Sequence, residues 1–108
     1  MGITKTEGFT DLQNETAIVL KALGHPARVA IIEHLLAVNS CICDDLVNTL
    51  PLAQATISQH LKELKNAGLI KGQIEGKAIC YCVNHETIEK LKNYFSSIDT
   101  LITSKKCC

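Results

Sequence analysis

From residue 11 to residue 23 the apolar side chains fall at Leu12, Ile18, Val19, Leu20 and Leu23. That pattern predicts a helix, and Gly24 is placed to stop it. Pro26 then opens a second helix, HPARVAIIEHLLAV (25–38), as a first-turn proline. Only Arg28, Glu33 and His34 interrupt its apolar surface, which predicts a helix buried on every side. Cys41, Ile42 and Cys43 read as a short extended piece. Asp44 or Asp45 can cap a short helix, DDLVNTL, that Pro51 ends. The next helix starts near Ala53 and reaches Gly68, with Ile57, Leu61 and Leu64 on one face. LIKGQIEGKAICYCV (69–83) reads as two strands about a Glu75-Gly76-Lys77 turn. Asn84 is a plausible cap for a last helix beginning near His85. There Ile88, Leu91, Phe95, Ile98 and Ile102 repeat at heptad spacing, and Tyr94 and Leu101 widen the stripe.

This order predicts a single domain, 1–108, that is mostly α with a small β-hairpin: a winged helix-turn-helix. Residues 45–68 are the helix-turn-helix, 69–83 the wing, and 104–108 a flexible tail containing cysteines. The helices at 11–24 and 85–103 are expected to join two copies into a homodimer. The polar face of the 53–68 helix carries Ala55, Thr56, Ser58, Gln59 and Lys62, with Gln54 at its N-terminal end. Amides and hydroxyls read base edges, a methyl can touch thymine, and Lys62 and Lys65 suit phosphates. An ordinary solvated helix face has the same composition. The hairpin tips the balance, because a wing with Lys77 at its tip belongs beside a helix that enters a DNA groove.

Composition changes the picture in two places. The net charge is zero, yet Lys62, Lys65, Lys71 and Lys77 gather just past the middle of the chain, so a local positive field survives. There are six cysteines, no apolar run long enough for a membrane, and no secretory signal in MGITKTEGFTDLQ. A cytoplasmic chain is expected, with reduced thiols available for metal or redox chemistry. No catalytic arrangement, phosphate-cradling glycine loop or carboxylate pair is present, so an enzyme is not expected. His25 reads as a helix cap, His34 as a boundary histidine, and His60 as lying at the edge of a buried face.

LGHPARVAII (23–32), LPLAQATISQHLKELKNAGLI (50–70) and EGKAICYCV (75–83) together resemble the ArsR/SmtB family of metal-responsive winged-helix repressors. The resemblance implies a homodimer on double-stranded operator DNA, with Gln54, Ala55, Thr56, Ser58 and Gln59 facing the major groove. It also implies release by a metal or metalloid ion. Ala53 departs from the serine common at that position, which makes a weaker cap. The family's thiolate pair is matched by Cys41 and Cys43, but Leu46 stands where the arsenic-sensing version has its third cysteine. The N-terminal arm lacks the cysteine of the cadmium/lead version. His85 alone does not make the zinc version, and residues 26–38 lack the cysteine of the persulfide version.

Cys41 and Cys43, as residues i and i+2 of an extended piece, face the same way, with Cα atoms about 6.6 Å apart. Such a pair suits a soft, thiophilic ion. As(III) or Sb(III), which take three thiolates, is the first expectation, with Cd(II), Pb(II) or Zn(II) as alternatives. Either class needs further ligands. Cys107 and Cys108, beside Lys105 and Lys106, are the first candidates, and Cys80 and Cys82 the second. Rival readings are a thiol redox-sensing repressor and a metal-buffering protein that does not bind DNA.

Overall fold

The structure is a computed structural model, and it describes residues 8–38, 50–75 and 78–104. Helix α1 (Asp11–Leu23) begins at Thr10, whose hydroxyl accepts from the Gln13 N–H while the Gln13 side chain accepts from the Thr10 N–H. This reciprocal box satisfies two donors that a helix start otherwise leaves open. Gly24 ends α1, as expected, but with φ −78°, so it is not a left-handed cap. Helix α2 (Pro26–Val38) starts with the Ala27 N–H donating to His25 Nδ1 at 3.1 Å, so the histidine does cap it.

Helix α3 (Gln54–Asn66) has Ala53 at its cap position with no side-chain hydrogen bond, the weak start that the sequence predicts. Its end is firmer. Gly68 sits at φ +80°, its N–H donates to Lys65 O, and the Leu69 N–H donates to Leu64 O. This paired Schellman closure needs a residue that tolerates positive φ. It delivers Leu69 and Ile70 buried into the core at the start of the hairpin.

Strands β1 (Ile70–Glu75) and β2 (Ala78–Val83) pair antiparallel, with Ile70 opposite Val83 and Glu75 opposite Ala78. Gly76 and Lys77 lie outside the described residues. Helix α4 (His85–Ser104) follows, with Asn84 Oδ1 accepting from the Glu86 N–H at 3.2 Å. Asn84 Nδ2 and Thr87 Oγ1 both donate to the carbonyl of Gly68, at 2.9 and 2.6 Å. One carbonyl at the end of α3 therefore fixes where the wing hands over to α4.

The core joins Ile31, Ile32 and Leu35 of α2 to Ile57, Leu61 and Leu64 of α3, closed by Leu69, Ile70 and Val83. Two expectations need correction. Helix α2 is not buried all round: Val29, Leu36 and Val38 are exposed, because one chain covers only one of its faces. The α4 stripe divides. Ile88 and Leu91 pack against the domain's own core, whereas Phe95, Leu101 and Ile102 face solvent.

Candidate nucleic-acid interface

Helix α3 is sharply two-sided. Ile57 and Leu64 are fully buried and Leu61 nearly so, which pins one face to α2 and the wing. On the other face Ala55, Thr56, Ser58, Gln59, Lys62 and Lys65 are all exposed. Gln54 is the first residue of the helix. The structure thus brings these six predicted residues, Ala55 to Lys65, onto one exposed face of the helix. Gln59 Nε2 donates to Glu63 Oε1 at 3.1 Å, an i,i+4 pair. The spacing was visible in the sequence, and the pair holds the amide in one orientation along the helix. Lys77 lies outside the described residues, as do the first helix of the motif (45–49 of it), Cys41, Cys43, Cys107 and Cys108.

Behind this surface lies a cluster that sequence reasoning missed. His60 is buried on the inner face of α3 and stacks, tilted, on His25 with ring centroids 4.5 Å apart. Arg28 Nε donates to His60 Nδ1 at 3.1 Å, and Arg28 Nη1 donates to the carbonyl of Ala22 at 3.1 Å. One guanidinium therefore ties the end of α1 to the middle of α3. Arg28 and His60 are 32 residues apart, so no local pattern signals the contact. Since arginine can only donate, His60 Nδ1 must keep its lone pair. Burial, then His25, then Arg28 lower the His60 pKa from its ordinary 6.5.

The stability consequence has a definite sign. Above pH 6.5 His60 is neutral in both states and the native fold has its full stability. As pH falls through 6.5 the unfolded chain takes up the proton first, so stability declines toward the lower folded-state pKa. Urea midpoints should therefore fall between pH 7 and pH 5. His60→Asn, which keeps an acceptor for Arg28 but does not titrate, should flatten that profile.

Cys80 is fully buried on β2 and Cys82 is half-buried beside it. Both are disulfide-bonded. Among the described residues no group of three or more His, Cys, Asp or Glu side chains could hold a metal ion. Also among them, no helix is long and apolar enough to cross a membrane.

Among the described residues, four helices and an antiparallel hairpin in this order, with a two-sided helix leading into the hairpin, give a winged-helix fold. A solved structure of an ArsR family transcriptional regulator has the same fold, with TM-score 0.75 over 87% of this chain and 96% of that one, at 17% identity. The family described as "Bacterial regulatory protein, arsR family" matches residues 25–71. The arsenical resistance operon repressor of Staphylococcus xylosus is 30% identical over 94 residues, 87% of this chain and 86% of that protein. The HTH-type transcriptional repressor SmtB of Mycobacterium tuberculosis is 40% identical over 63 residues, 58% of this chain. That match spans only 46% of the mycobacterial protein's length. The chain belongs to the ArsR family of transcriptional regulators, a family of regulators rather than enzymes.

Proposed function

We propose that this chain is a homodimeric repressor that binds operator DNA and is released by a thiophilic ion. The observation that carries the DNA half is the division of α3, with Ile57, Leu61 and Leu64 inside and a full row of small, hydroxyl, amide and lysine side chains outside. Two such helices in a two-fold dimer, about 34–36 Å apart, fit successive major grooves of a palindromic site. Ala55, Thr56, Ser58 and Gln59, led by Gln54, meet base edges. Lys62, Lys65 and Lys77 neutralise phosphates. Gln59→Ala should weaken specific binding by about 1–3 kcal/mol, read by gel shift against the chain's own upstream DNA. An unchanged affinity would remove α3 from the groove.

Cys41 and Cys43 are the first two ligands of the inducer. As(III) or Sb(III) leads the candidates, since the Staphylococcus xylosus relative is named for an arsenical resistance operon. Cd(II), Pb(II) and Zn(II) follow from the same soft-donor chemistry. When the two thiols close on the ion they draw on the segment that leads into the helix-turn-helix, changing the spacing of the two α3 helices. A coupling of about 1–3 kcal/mol corresponds to about 5–150-fold weaker operator binding. Cys43→Ser should keep operator affinity and lose release by arsenite. A variant that is still released like the parent places the sensor elsewhere.

A second reading, a thiol redox-sensing repressor, draws support from Cys80 and Cys82 each being in a disulfide. Under it, peroxide rather than arsenite moves the gel shift.

A further inference from the structure

Arg28 bonds two different helices with one guanidinium. Helix α1 ends with carbonyls that have no partner inside the helix. Lys21 O accepts from the Gly24 N–H, Leu23 O from the His25 N–H, and Ala22 O from Arg28 Nη1. The Nε of the same group donates to His60 Nδ1, in the middle of α3. A guanidinium is a rigid planar fork, so its two acceptors are held at one separation. A lysine, a single point charge, could not span them in that way.

His60 is held from a second side. Its ring is tilted on His25 with 4.5 Å between centroids, and His25 Nδ1 in turn accepts from the Ala27 N–H. His60 is buried, while Gln59 beside it and Lys62 are exposed on the outer face of the same helix. The setting of His60 against Arg28 is therefore also the setting of the reading residues against α1. Helix α1 carries Leu12 and Ile18, exposed here and available to the proposed dimer. In a two-fold dimer any change in the α1–α3 angle occurs in both protomers, so it acts twice on the spacing of the two α3 helices.

We propose that Arg28 is a positioning residue for the reading helix: through His60 it holds α3 at the setting the operator requires, and protonation of His60 releases that hold. It rests on the reading that α3 enters the DNA groove. The bond exists only while Nδ1 keeps its lone pair. A proton there turns the acceptor into a second N–H donor, aimed at a guanidinium that can only donate, and sets two cations side by side. Arg28 then keeps Ala22 and loses α3. The charged and titratable groups acting on His60 are His25, ahead of α2, and Arg28, in its first turn. Helix α1 presents the Ala22 carbonyl, and among the described residues the hairpin and α4 contribute no charge. Burial first, then His25 and Arg28, favour the neutral ring, so the bond is intact at pH 7 and is lost only as pH falls below 6.5. The quantity this regulates is operator preference, because contacts to base edges need a fixed helix setting and attraction to phosphates does not.

The test is a gel shift of the full-length protein on the chain's own upstream DNA and on a duplex of unrelated sequence, with circular dichroism giving the folded fraction at each pH. For the parent, the ratio of the two affinities per folded dimer should fall by about 2–30-fold between pH 7 and pH 5. The unrelated duplex cancels general changes in charge, and the folded fraction removes the loss of stability. His60→Asn supplies an amide oxygen where Nδ1 stood and does not titrate. It should match the parent at pH 7 and hold that ratio down to pH 5. Arg28→Met, which loses both bonds, should start from the lowered ratio at pH 7 and stay there. It also leaves the Ala22 carbonyl open and costs stability, so the His60→Asn profile decides. A parent ratio that is flat, or a His60→Asn ratio that falls with the parent's, would overturn the proposal. Gln59→Ala separates this link from the reading beneath it. A flat parent with a costly Gln59→Ala means that the link alone has failed. A parent ratio that falls in acid while Gln59→Ala keeps full operator affinity means that the operator is not read by α3.

Discussion

Phe95→Glu combined with Ile102→Glu is expected to sediment as a monomer and to lose operator affinity by about 10²–10⁴-fold. The two residues stand one heptad apart on α4 and are 52% and 67% exposed in the single chain. On α1 and just before it, Phe9, Leu12 and Ile18 are exposed as well. So many exposed large apolar side chains on the two terminal helices are what the proposed dimer would cover. Two carboxylates buried there without partners are costly. The domain's own core does not use Phe95 or Ile102, so the monomer should keep its helical circular dichroism. Loss of the second half-site contact then turns bivalent binding into monovalent binding, which sets the size of the effect. A variant that remains a dimer with unchanged operator affinity would move the interface away from α1 and α4.

The same stripe shows what could be read from the sequence and what could not. Its heptad spacing predicts a seam, but spacing cannot say against what. Ile88 and Leu91 lie near the Asn84–Gly68 junction and are drawn into the local core, while the C-terminal half of the helix runs on past it. Helix α2 is a similar case. Its composition predicts burial all round, yet coverage depends on how many neighbours one short chain can provide. Capping was more legible, because it is local: His25, Ala53, Gly68 and Asn84 behave as their side chains or backbone freedom require. The Arg28–His60 bond was not legible at all, since two polar residues far apart in sequence leave no periodic mark. The exposed row on α3 was legible because an amphipathic helix writes its buried face and its outer face in one repeat.

That last point makes Ile57 the most informative core position. Ile57 is fully buried, and its neighbours Thr56 and Ser58 are exposed. Ile57→Ala removes a side chain packed at the centre of the α2–α3 contact and leaves a cavity that the flanking helices cannot fully close. The expected cost is about 2–5 kcal/mol, a large share of the roughly 5–15 kcal/mol that holds a domain of this kind folded. At fixed protein concentration the urea midpoint should fall with little change in slope, and the melting temperature should drop by about 10–30 °C. Ile57→Val, which removes one methyl group, should cost only about 0.5–1.5 kcal/mol. Neither change touches the outer face of α3. Operator affinity per folded dimer should therefore stay close to the parent's, with binding lost only as the folded fraction falls. If Ile57→Ala left the urea midpoint in place and weakened operator binding, Ile57 would belong to the reading surface, and the rotational setting of α3 against the core would be wrong.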